Sequence, residues 1–202
     1  MQILFIIISC IFSFQSFAAN NVITIDKDII LEAFDYNDKR LKNQITNLFV
    51  SSIVQEYEHI PFVEIDDTIK TLLCFKSYMS GFIHSNLDRA KDNPEKLTSY
   101  LVKYHSKVIG IVILEKFAIA DWQSISINLI AIDLNYQRKG VGTKIINEIP
   151  NLYPDAHEIL ATLRDDNNAV KFYNKNGFIK YIYSKESLAK KQIGMRKIII
   201  KK

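Results

Sequence analysis

The chain contains few of the residues that form disulfides and metal sites. It has two cysteines, Cys10 and Cys74. The four histidines are widely separated: His59, His84, His105 and His157. None stands at a metal-ligand spacing from another His or Cys, so we expect no metal site. If an N-terminal leader is removed, Cys74 is the only cysteine left and an internal disulfide is excluded. Its apolar neighbours favour a buried helical position over a nucleophilic role.

Charged side chains are absent from Met1 to Ile25. The apolar run Ile3 to Phe12 precedes small residues, a pattern typical of a secretory signal peptide cleaved after Ala18 or Ala19. No basic residue precedes the run, so a retained anchor, a mis-assigned start and a buried strand stay open as alternatives. The run is too short for a clear membrane span. We expect residues 1–19 to be a signal peptide and the protein to be exported (periplasmic or secreted), with a cytoplasmic location as the alternative.

Glycine and proline are scarce, with six and four residues respectively, and no low-complexity linker interrupts the chain. The composition, 48% hydrophobic and 24% charged, is that of an ordinary folded domain. Residues 20–202 are therefore expected to form one domain. The net charge of +4 comes from scattered lysines, which favours a solvated surface over a nucleic-acid-binding face. We expect no nucleic-acid partner.

Hydrophobic periodicity predicts a mixed α+β fold (α/β mixed). Apolar residues recur at helical spacing over 37–56 and over 67–80, and the second helix could resume through 92. A strand pattern follows, beginning with an antiparallel meander of three strands. In the third of these, Ile125, Ile127 and Leu129 alternate and are expected on one face. The predicted strands are 29–34, 97–105, 107–117, 124–134, 158–163, 178–183 and 194–200, and the later helices are 140–149 and 167–176.

A basic turn with two glycines follows the apolar strand that ends near Ile132. The turn reads Gln137-Arg138-Lys139-Gly140-Val141-Gly142 and opens an apolar-periodic helix. The first N–H groups of a helix have no partner within it and favour an anion at its positive end. Glycines at positions 140 and 142 let the backbone approach a phosphate closely. The turn therefore predicts a phosphate site, and glycines that only shape the turn are the alternative.

A second segment, from Asn167 to Phe178, predicts a short helix with well-marked ends. Acidic and Asn residues can cap its start, and Asn176-Gly177 is a strong stop signal. Ala169 and Tyr173 stand at positions i and i+4, so they share a face. Taken alone, this segment is only a good short helix in which Tyr173 could be a core aromatic.

The two segments together resemble the GNAT superfamily of N-acetyltransferases. Gln137-x-x-Gly140-x-Gly142 is similar to that family's pyrophosphate loop, and Ala169 to Phe178 is similar to its Ala-x-x-x-Tyr-x-x-x-Gly-Phe helix. The resemblance implies a GNAT-type three-layer fold, with a mostly antiparallel mixed sheet of about six to seven strands flanked by helices. A dinucleotide-binding fold is a weak rival, because Ile145 stands where its third glycine belongs.

The resemblance also implies acetyl-CoA as acyl donor, with its pyrophosphate on the N–H groups of residues 138–143. Its pantetheine arm would lie between the strand ending at Ile132 and the strand from 158, where a backbone N–H near Ile132 would stabilise the oxyanion. Asp166 stands where the family often has a cofactor-contacting Asn, so that contact is assigned to neighbouring asparagines. The implied cofactor-binding residues are Ile132, Gln137, Arg138, Lys139, Gly140, Val141, Gly142, Thr143, Asn167 and Asn168.

Tyr173 matches the family's usual general acid. A tyrosine phenol has a pKa of about 10, so it stays protonated at neutral pH and can protonate the leaving thiolate. The general base stays open. An amine with a pKa of about 10.4 must lose a proton before attack, yet the central strand offers Ser126 and Asn128 instead of a carboxylate. Glu115, Asp121 or a chain of water molecules could serve.

Two functions follow from the sequence. The first is an acetyl-CoA-dependent N-acetyltransferase that modifies a primary amine of a small molecule or a protein by direct attack, as a monomer or homodimer. The second is an exported GNAT-fold binding or interaction module without turnover, because export takes the chain away from acetyl-CoA. The presence of Gln137, Gly140, Gly142 and Tyr173 favours the enzyme. No stable membrane association is expected once the leader is cleaved.

Overall fold

A computed structural model of the chain describes residues 22–57, 72–182, 184–185 and 191–200. The expected signal peptide at 1–19 lies outside the described residues, as does the start of the helix expected over 67–80.

An eight-stranded mixed sheet forms the centre of the described molecule. Its strands are β1 (Val22–Thr24), β2 (Ile29–Ala33), β3 (Leu97–Tyr104), β4 (Lys107–Ile119), β5 (Trp122–Ile132), β6 (Glu158–Arg164), β7 (Ile179–Tyr181) and β8 (Gln192–Ile198). Their spatial order is β1-β2-β3-β4-β5-β6-β8-β7. Neighbours are antiparallel except for β5 and β6, which are parallel. The sheet therefore has one parallel junction near its middle.

Four α-helices flank the sheet within the described ranges: α1 (Lys39–Tyr57), α2 (Leu72–Asp92), α3 (Val141–Leu152) and α4 (Ala169–Lys175). The start of α1 is capped by the Asp38 carboxylate, which accepts a hydrogen bond from the Leu41 N–H. Cys74 lies in α2, as its expected helical position requires. No helix in the described part combines the length and apolar character needed to cross a membrane.

Buried side chains form one cluster on each face of the sheet, which makes the fold three-layered. On one face, α1 and α2 pack against the sheet through Ile45, Phe49, Ile83, Leu87, Ile111 and Ile113. On the other face, α3 and α4 pack through Val141, Ile145, Ile146, Ile149, Ile109, Val112 and Tyr173. We call these the α1/α2 face and the α3/α4 face.

The predicted fold class is confirmed. The antiparallel meander is formed by β3, β4 and β5. The sheet has one strand more than the expected range because β1, a three-residue strand, was not predicted. Helix α3 also extends beyond the predicted 149 and includes Pro150 in its last turn, where a proline removes only one intrahelical hydrogen bond.

The prediction that Leu129 shares a face with Ile125 and Ile127 is wrong. The register of β4 and β5 shifts so that Ile113 faces Leu129 while Leu114 faces Ile127, which leaves Asn128 as an extra residue. This β-bulge reverses the alternation. Ile125 and Ile127 consequently pack on the α3/α4 face, and Leu129 packs on the α1/α2 face.

Two isoleucines of β4 allow a direct test of where the core lies. Ile111 is fully buried, whereas Ile119 is 81% exposed. We expect Ile111→Ala to lower the free energy of unfolding by about 2–5 kcal/mol, because it leaves a cavity. Ile119→Ala is expected to change it by less than about 0.5 kcal/mol. Urea unfolding followed by circular dichroism measures both, and equal losses would contradict the described packing of β4.

Candidate functional site

The parallel junction between β5 and β6 opens partway along the two strands. Pairing runs from Ser124↔Glu158 to Ile127↔Ala161 and then stops. Beyond that point β5 continues to Ile132, still paired with β4, while β6 continues to Arg164, paired with β8. The strands therefore separate into a split whose apex is at Ile127 and Ala161. On the β6 side, the backbone of β5 from Asn128 onward has no strand partner among the described strands.

The chain leaves β5 through a tight turn held by its own side chains. Asp133 accepts a hydrogen bond from the Asn135 N–H and begins a short 3-10 helix, Leu134–Tyr136. The Gln137 side chain donates to the Ile132 carbonyl at 2.9 Å, and its N–H donates to the Asp133 carbonyl at 3.1 Å. The side-chain amide and the backbone N–H of Gln137 thus both bond within the turn, so Gln137 fixes the turn that leads to the helix start.

Backbone N–H groups from Arg138 to Thr143 form a cradle at the start of α3. Within the described part of the chain, none of them donates to a protein acceptor, and the first bond of the helix runs from Lys144 to Gly140. Arg138 and Gly140 have φ values of +57° and +81°, a conformation that turns the backbone sharply and that glycine adopts most easily. The structure therefore brings the predicted cradle residues 138–143 together with free donors.

Cationic side chains surround the cradle. Arg138 and Lys139 are exposed, and the ammonium groups of Lys139 and Lys107 lie 5.3 and 5.2 Å from the centre of the Tyr136 ring. A cation in the first turn of a helix is unfavourable, and Lys144 of α3 is neutralised there by Asp26. Hydrogen bonding to Lys144 and to the Asp28 N–H lowers the pKa of Asp26 to about 2, and the same pairing raises the pKa of Lys144.

The two cradle glycines are needed for different reasons. A Cβ on Gly140 would meet nothing within 4 Å, so that glycine is required by its backbone conformation. A Cβ on Gly142 would lie 2.9 Å from Phe172 Cζ of α4, so that glycine is required by packing. The sequence predicted that both glycines let the backbone approach a phosphate. The structure adds that Gly142 lets the start of α3 pack closely against α4.

The loop before α4 uses most of its polar groups locally. The Asn167 side-chain oxygen accepts a hydrogen bond from the Ala169 N–H at 2.7 Å, while Asn168 is exposed. Asp166 forms two hydrogen bonds with Arg164, and this pairing lowers the pKa of Asp166. The loop brings the Asn167 and Asn168 group to the end of β6, on the far side of the split from the cradle.

Tyr173 lies on the inner side of α4 and is 6% exposed. Its ring contacts Phe172 and Phe178 edge to face, at centroid distances of 5.3 and 5.0 Å. It belongs to the same buried cluster as Ile127 and Ala161, the two residues at the apex. The structure therefore places Tyr173 on the α3/α4 face, in the same layer as the side chains of Ile127 and Ala161.

One of the candidate bases that the sequence left open, Glu115, lies on the opposite face. Glu115 of β4 pairs with Ser126 across the strands, and its carboxylate accepts hydrogen bonds from Asn128 and from Arg89 of α2. The sequence signal for this arrangement is the change at Asn128 from alternating residues to the continuous apolar run 129–132, which marks the bulge. The described residues contain no cluster of His, Cys, Asp and Glu that could hold a metal ion.

Comparison with known proteins agrees with this architecture. A family model described as an acetyltransferase (GNAT) domain matches residues 95–180. That range includes the meander, the cradle, the split and α4. No curated protein matches the sequence.

Solved structures share the fold at low sequence identity. The PaiA N-acetyltransferase from Thermoplasma acidophilum, in complex with coenzyme A, has a TM-score of 0.61 at 16% identity, over 85% of this chain and 99% of that one. The microcin C7 self-immunity acetyltransferase MccE, in complex with acetyl-CoA and AMP, has a TM-score of 0.56 at 18% identity, over 87% and 94%.

An acetyltransferase from Salmonella typhimurium, which modifies the N-terminal serine of ribosomal protein L7/L12, has a TM-score of 0.57 at 13% identity, over 89% and 99%. The chain thus has the GNAT-type fold. The matched model is that of an acetyltransferase domain, and the solved acetyltransferases share the fold of this chain.

The contact between Gly142 and Phe172 can be tested by a double-mutant cycle. Gly142→Ala is expected to lower the free energy of unfolding by about 1–3 kcal/mol, because the new methyl group overpacks against the ring. In a Phe172→Leu background the same change should cost less, with a coupling of at least about 0.5 kcal/mol. Urea unfolding of the four proteins gives the coupling, and additive losses would show that the two residues do not touch.

Proposed function

We propose that this protein is an acetyl-CoA-dependent N-acetyltransferase that transfers the acetyl group to a primary amine by direct attack. One observation carries the proposal. The free N–H groups of residues 138–143 follow the end of β5, and β5 is the strand whose pairing with β6 stops at Ile127. A single open stretch of backbone therefore leads from an anion cradle into the sheet.

The shape of this stretch suits coenzyme A. The cradle offers several donors and two nearby cationic side chains to a pyrophosphate. The unpaired edge of β5 beyond Ile127 offers backbone groups to the amides of a pantetheine arm, as an added strand would use them. Two structural neighbours were solved with coenzyme A or acetyl-CoA, which supports the same ligand for this chain.

The reaction needs three groups around the thioester. The amine nitrogen attacks the acetyl carbon, and a β5 backbone N–H between the apex and Ile132 stabilises the charge on the carbonyl oxygen. The carbon–sulfur bond then breaks, and we propose that the Tyr173 phenol gives its proton to the departing thiolate. Tyr173 suits this role because it belongs to the buried cluster that includes both apex residues, Ile127 and Ala161.

The acceptor side of the site is expected on the α1/α2 face. Helices α1 and α2 contact β3, β4 and β5 there, and Ser126, Asn128 and Leu160 are only half-buried. The acceptor is an amine-bearing small molecule or protein. The Salmonella typhimurium neighbour acts on the N-terminal serine of a protein, which supports keeping proteins among the candidates.

Cofactor binding is tested first, with two glycine variants. Gly140→Ala is expected to weaken acetyl-CoA binding about tenfold, because alanine resists a φ of +81° and shifts the cradle donors. Gly81→Ala is the matched control: Gly81 lies in α2 with open space around it, and helical alanine should stabilise the protein by up to about 1 kcal/mol. Isothermal titration calorimetry measures the acetyl-CoA affinity of both variants.

The outcomes of that titration are distinct. Wild-type protein that binds no acetyl-CoA at millimolar concentration would overturn the enzyme and any cofactor-binding form of the fold. Binding without turnover of any amine would favour an exported binding module, the function suggested by the leader. The mass of the mature N-terminus, after expression in a host with an export pathway, would test export itself.

Chemistry is tested with Tyr173→Phe. We expect kcat to fall about 100-fold with little change in acetyl-CoA affinity, because the ring and its packing are kept while the proton is lost. Thiol release against spermidine, an aminosugar and a lysine-containing peptide measures the rate. Tyr100→Phe, on the same face of the sheet, is the control and should retain activity. An unchanged rate in Tyr173→Phe would remove Tyr173 from this role.

A further inference from the structure

We propose that Glu115 is the acceptor-side catalytic residue, and that its carboxylate binds a positively charged primary amine and removes a proton from it before attack. This inference rests on the proposed function and adds to it a substrate class and a proton acceptor. It follows from where Glu115 lies, which face it occupies and what holds it.

Glu115 lies beside the apex of the split. Its partner across the strands is Ser126, one pair before β5 and β6 separate. The residue that donates to it, Asn128, is the first residue of β5 beyond the last β5–β6 pair. The carboxylate is therefore next to the point where a thioester lying in the split would be attacked.

Glu115 and Asn128 lie on the same face of the sheet because of the bulge in β5. Cross-strand partners share a face of a sheet, and Arg89 reaches Glu115 from α2, so Glu115 points to the α1/α2 face. Asn128 and Leu129 are the two bulged residues and both turn towards that face. Tyr173 packs on the opposite face. A proton acceptor and a proton donor therefore flank the split from opposite sides.

The carboxylate is held in place but remains accessible. One oxygen accepts from the Asn128 amide and the other from Arg89 at 3.3 Å. The Glu115 side chain is 14% exposed and that of Arg89 is 52% exposed. A single 3.3 Å contact from a half-exposed arginine contributes little stability, so an ammonium group can share or replace Arg89. A fixed, half-shielded carboxylate near the apex favours cationic acceptors over neutral ones.

One other carboxylate among the described residues faces the same side near the apex, that of Glu158 on β6. Glu158 pairs with Ser124, three residues before the apex, and its carboxylate accepts a hydrogen bond from the Ser124 hydroxyl. Ser126 and Asn128 do not titrate near neutral pH. Asp121 lies in the turn between Ile119 and Trp122, at the far end of the β4–β5 hairpin. At about 3.4 Å per residue, that is roughly 20 Å from the apex. Of the carboxylates that the sequence left open, the structure brings only Glu115 to the split.

The proposed step conserves atoms and charge. The ammonium group gives one proton to the Glu115 carboxylate, and the resulting amine forms the carbon–nitrogen bond with the acetyl carbon. The carbon–sulfur bond breaks, and the thiolate takes the Tyr173 proton. The amide nitrogen loses its second proton to water, and Tyr173 and Glu115 return to their starting states by exchange with solvent.

The test compares two amines of the same size, ethylamine and 2,2,2-trifluoroethylamine. Ethylamine is an ammonium ion at neutral pH, whereas the fluorinated amine is largely neutral and needs no base. We expect Glu115→Gln to lower kcat/KM about 100-fold for ethylamine and less than about threefold for trifluoroethylamine, with acetyl-CoA affinity unchanged. Glu32→Gln is the matched control, because Glu32 is paired with Lys103 at 2.6 Å elsewhere in the sheet.

Equal losses for the two amines would mean that Glu115 only supports the structure and would overturn the inference, as would unchanged rates. If Glu115→Gln does not fold, Arg89→Gln replaces it. That variant keeps the Glu115 carboxylate and removes the arginine that competes with the ammonium group for it. KM for ethylamine should therefore fall, and an unchanged or higher KM would contradict the inference. A wild-type protein that acetylates no amine would overturn the proposed function and this inference together. An active wild-type protein with equal losses for the two amines would overturn this inference alone.

Discussion

The arrangement of the site depends on the point where β5 and β6 stop pairing. Each strand has an antiparallel neighbour on its outer side, β4 for one and β8 for the other. These antiparallel pairings use the backbone hydrogen-bonding groups on one edge of each strand. They also hold β5 and β6 apart once the parallel pairs end at Ile127 and Ala161. Unpaired backbone groups inside a sheet are costly, so this opening is stable only where water or a ligand can reach it. The cradle, the bulge and α4 are all arranged around it.

Two contacts connect the opening to the rest of the fold. The Gln137 side chain bonds the last carbonyl of β5, which fixes the direction in which α3 begins. Gly142 then lets α3 approach the Phe172 ring of α4. The pairing of Lys144 with Asp26 anchors the first turn of α3 to the loop between β1 and β2. These contacts fix the cradle to the sheet, to α4 and to the first hairpin, so its N–H groups have a defined orientation.

The bulge at Asn128 gives the two faces of the split different chemistry. A regular strand would place Leu129 with Ile127 on the α3/α4 face. The extra residue instead turns Asn128 and Leu129 to the α1/α2 face, where the amide meets Glu115. The result is a buried phenol on one face and a partly shielded carboxylate on the other. This asymmetry suits a reaction in which one group loses a proton and another gains one.

Much of this molecule is encoded locally. Helical and strand periodicities predicted seven of its strands and helices α1, α3 and α4 to within a few residues, because apolar spacing reflects which face is buried. Helix α2 continues to Asp92, an extension that the sequence had left open. The free donors after Gln137 follow from a glycine that adopts a positive φ at a helix start, and Asn176-Gly177 ended α4 as its local chemistry predicts. The pairing of strands that are distant in the sequence was not encoded in this way. Periodicity does not reveal which strand pairs with which, so β1, the end of pairing at Ile127 and the bulge at Asn128 appeared only in the fold.

The sequence by itself therefore determined seven of the described strands, the free N–H donors at the start of α3 and the presence of Tyr173 in a short helix, since each depends on neighbouring residues. Only the tertiary structure decided that Gly142 packs on Phe172, that Asp121 lies far from the split and that Glu115 lies beside it with Asn128 and Arg89. Those relations join residues from different strands and helices. Their physical origin is strand register and the packing of helices on a twisted sheet, which no local stretch of chain specifies.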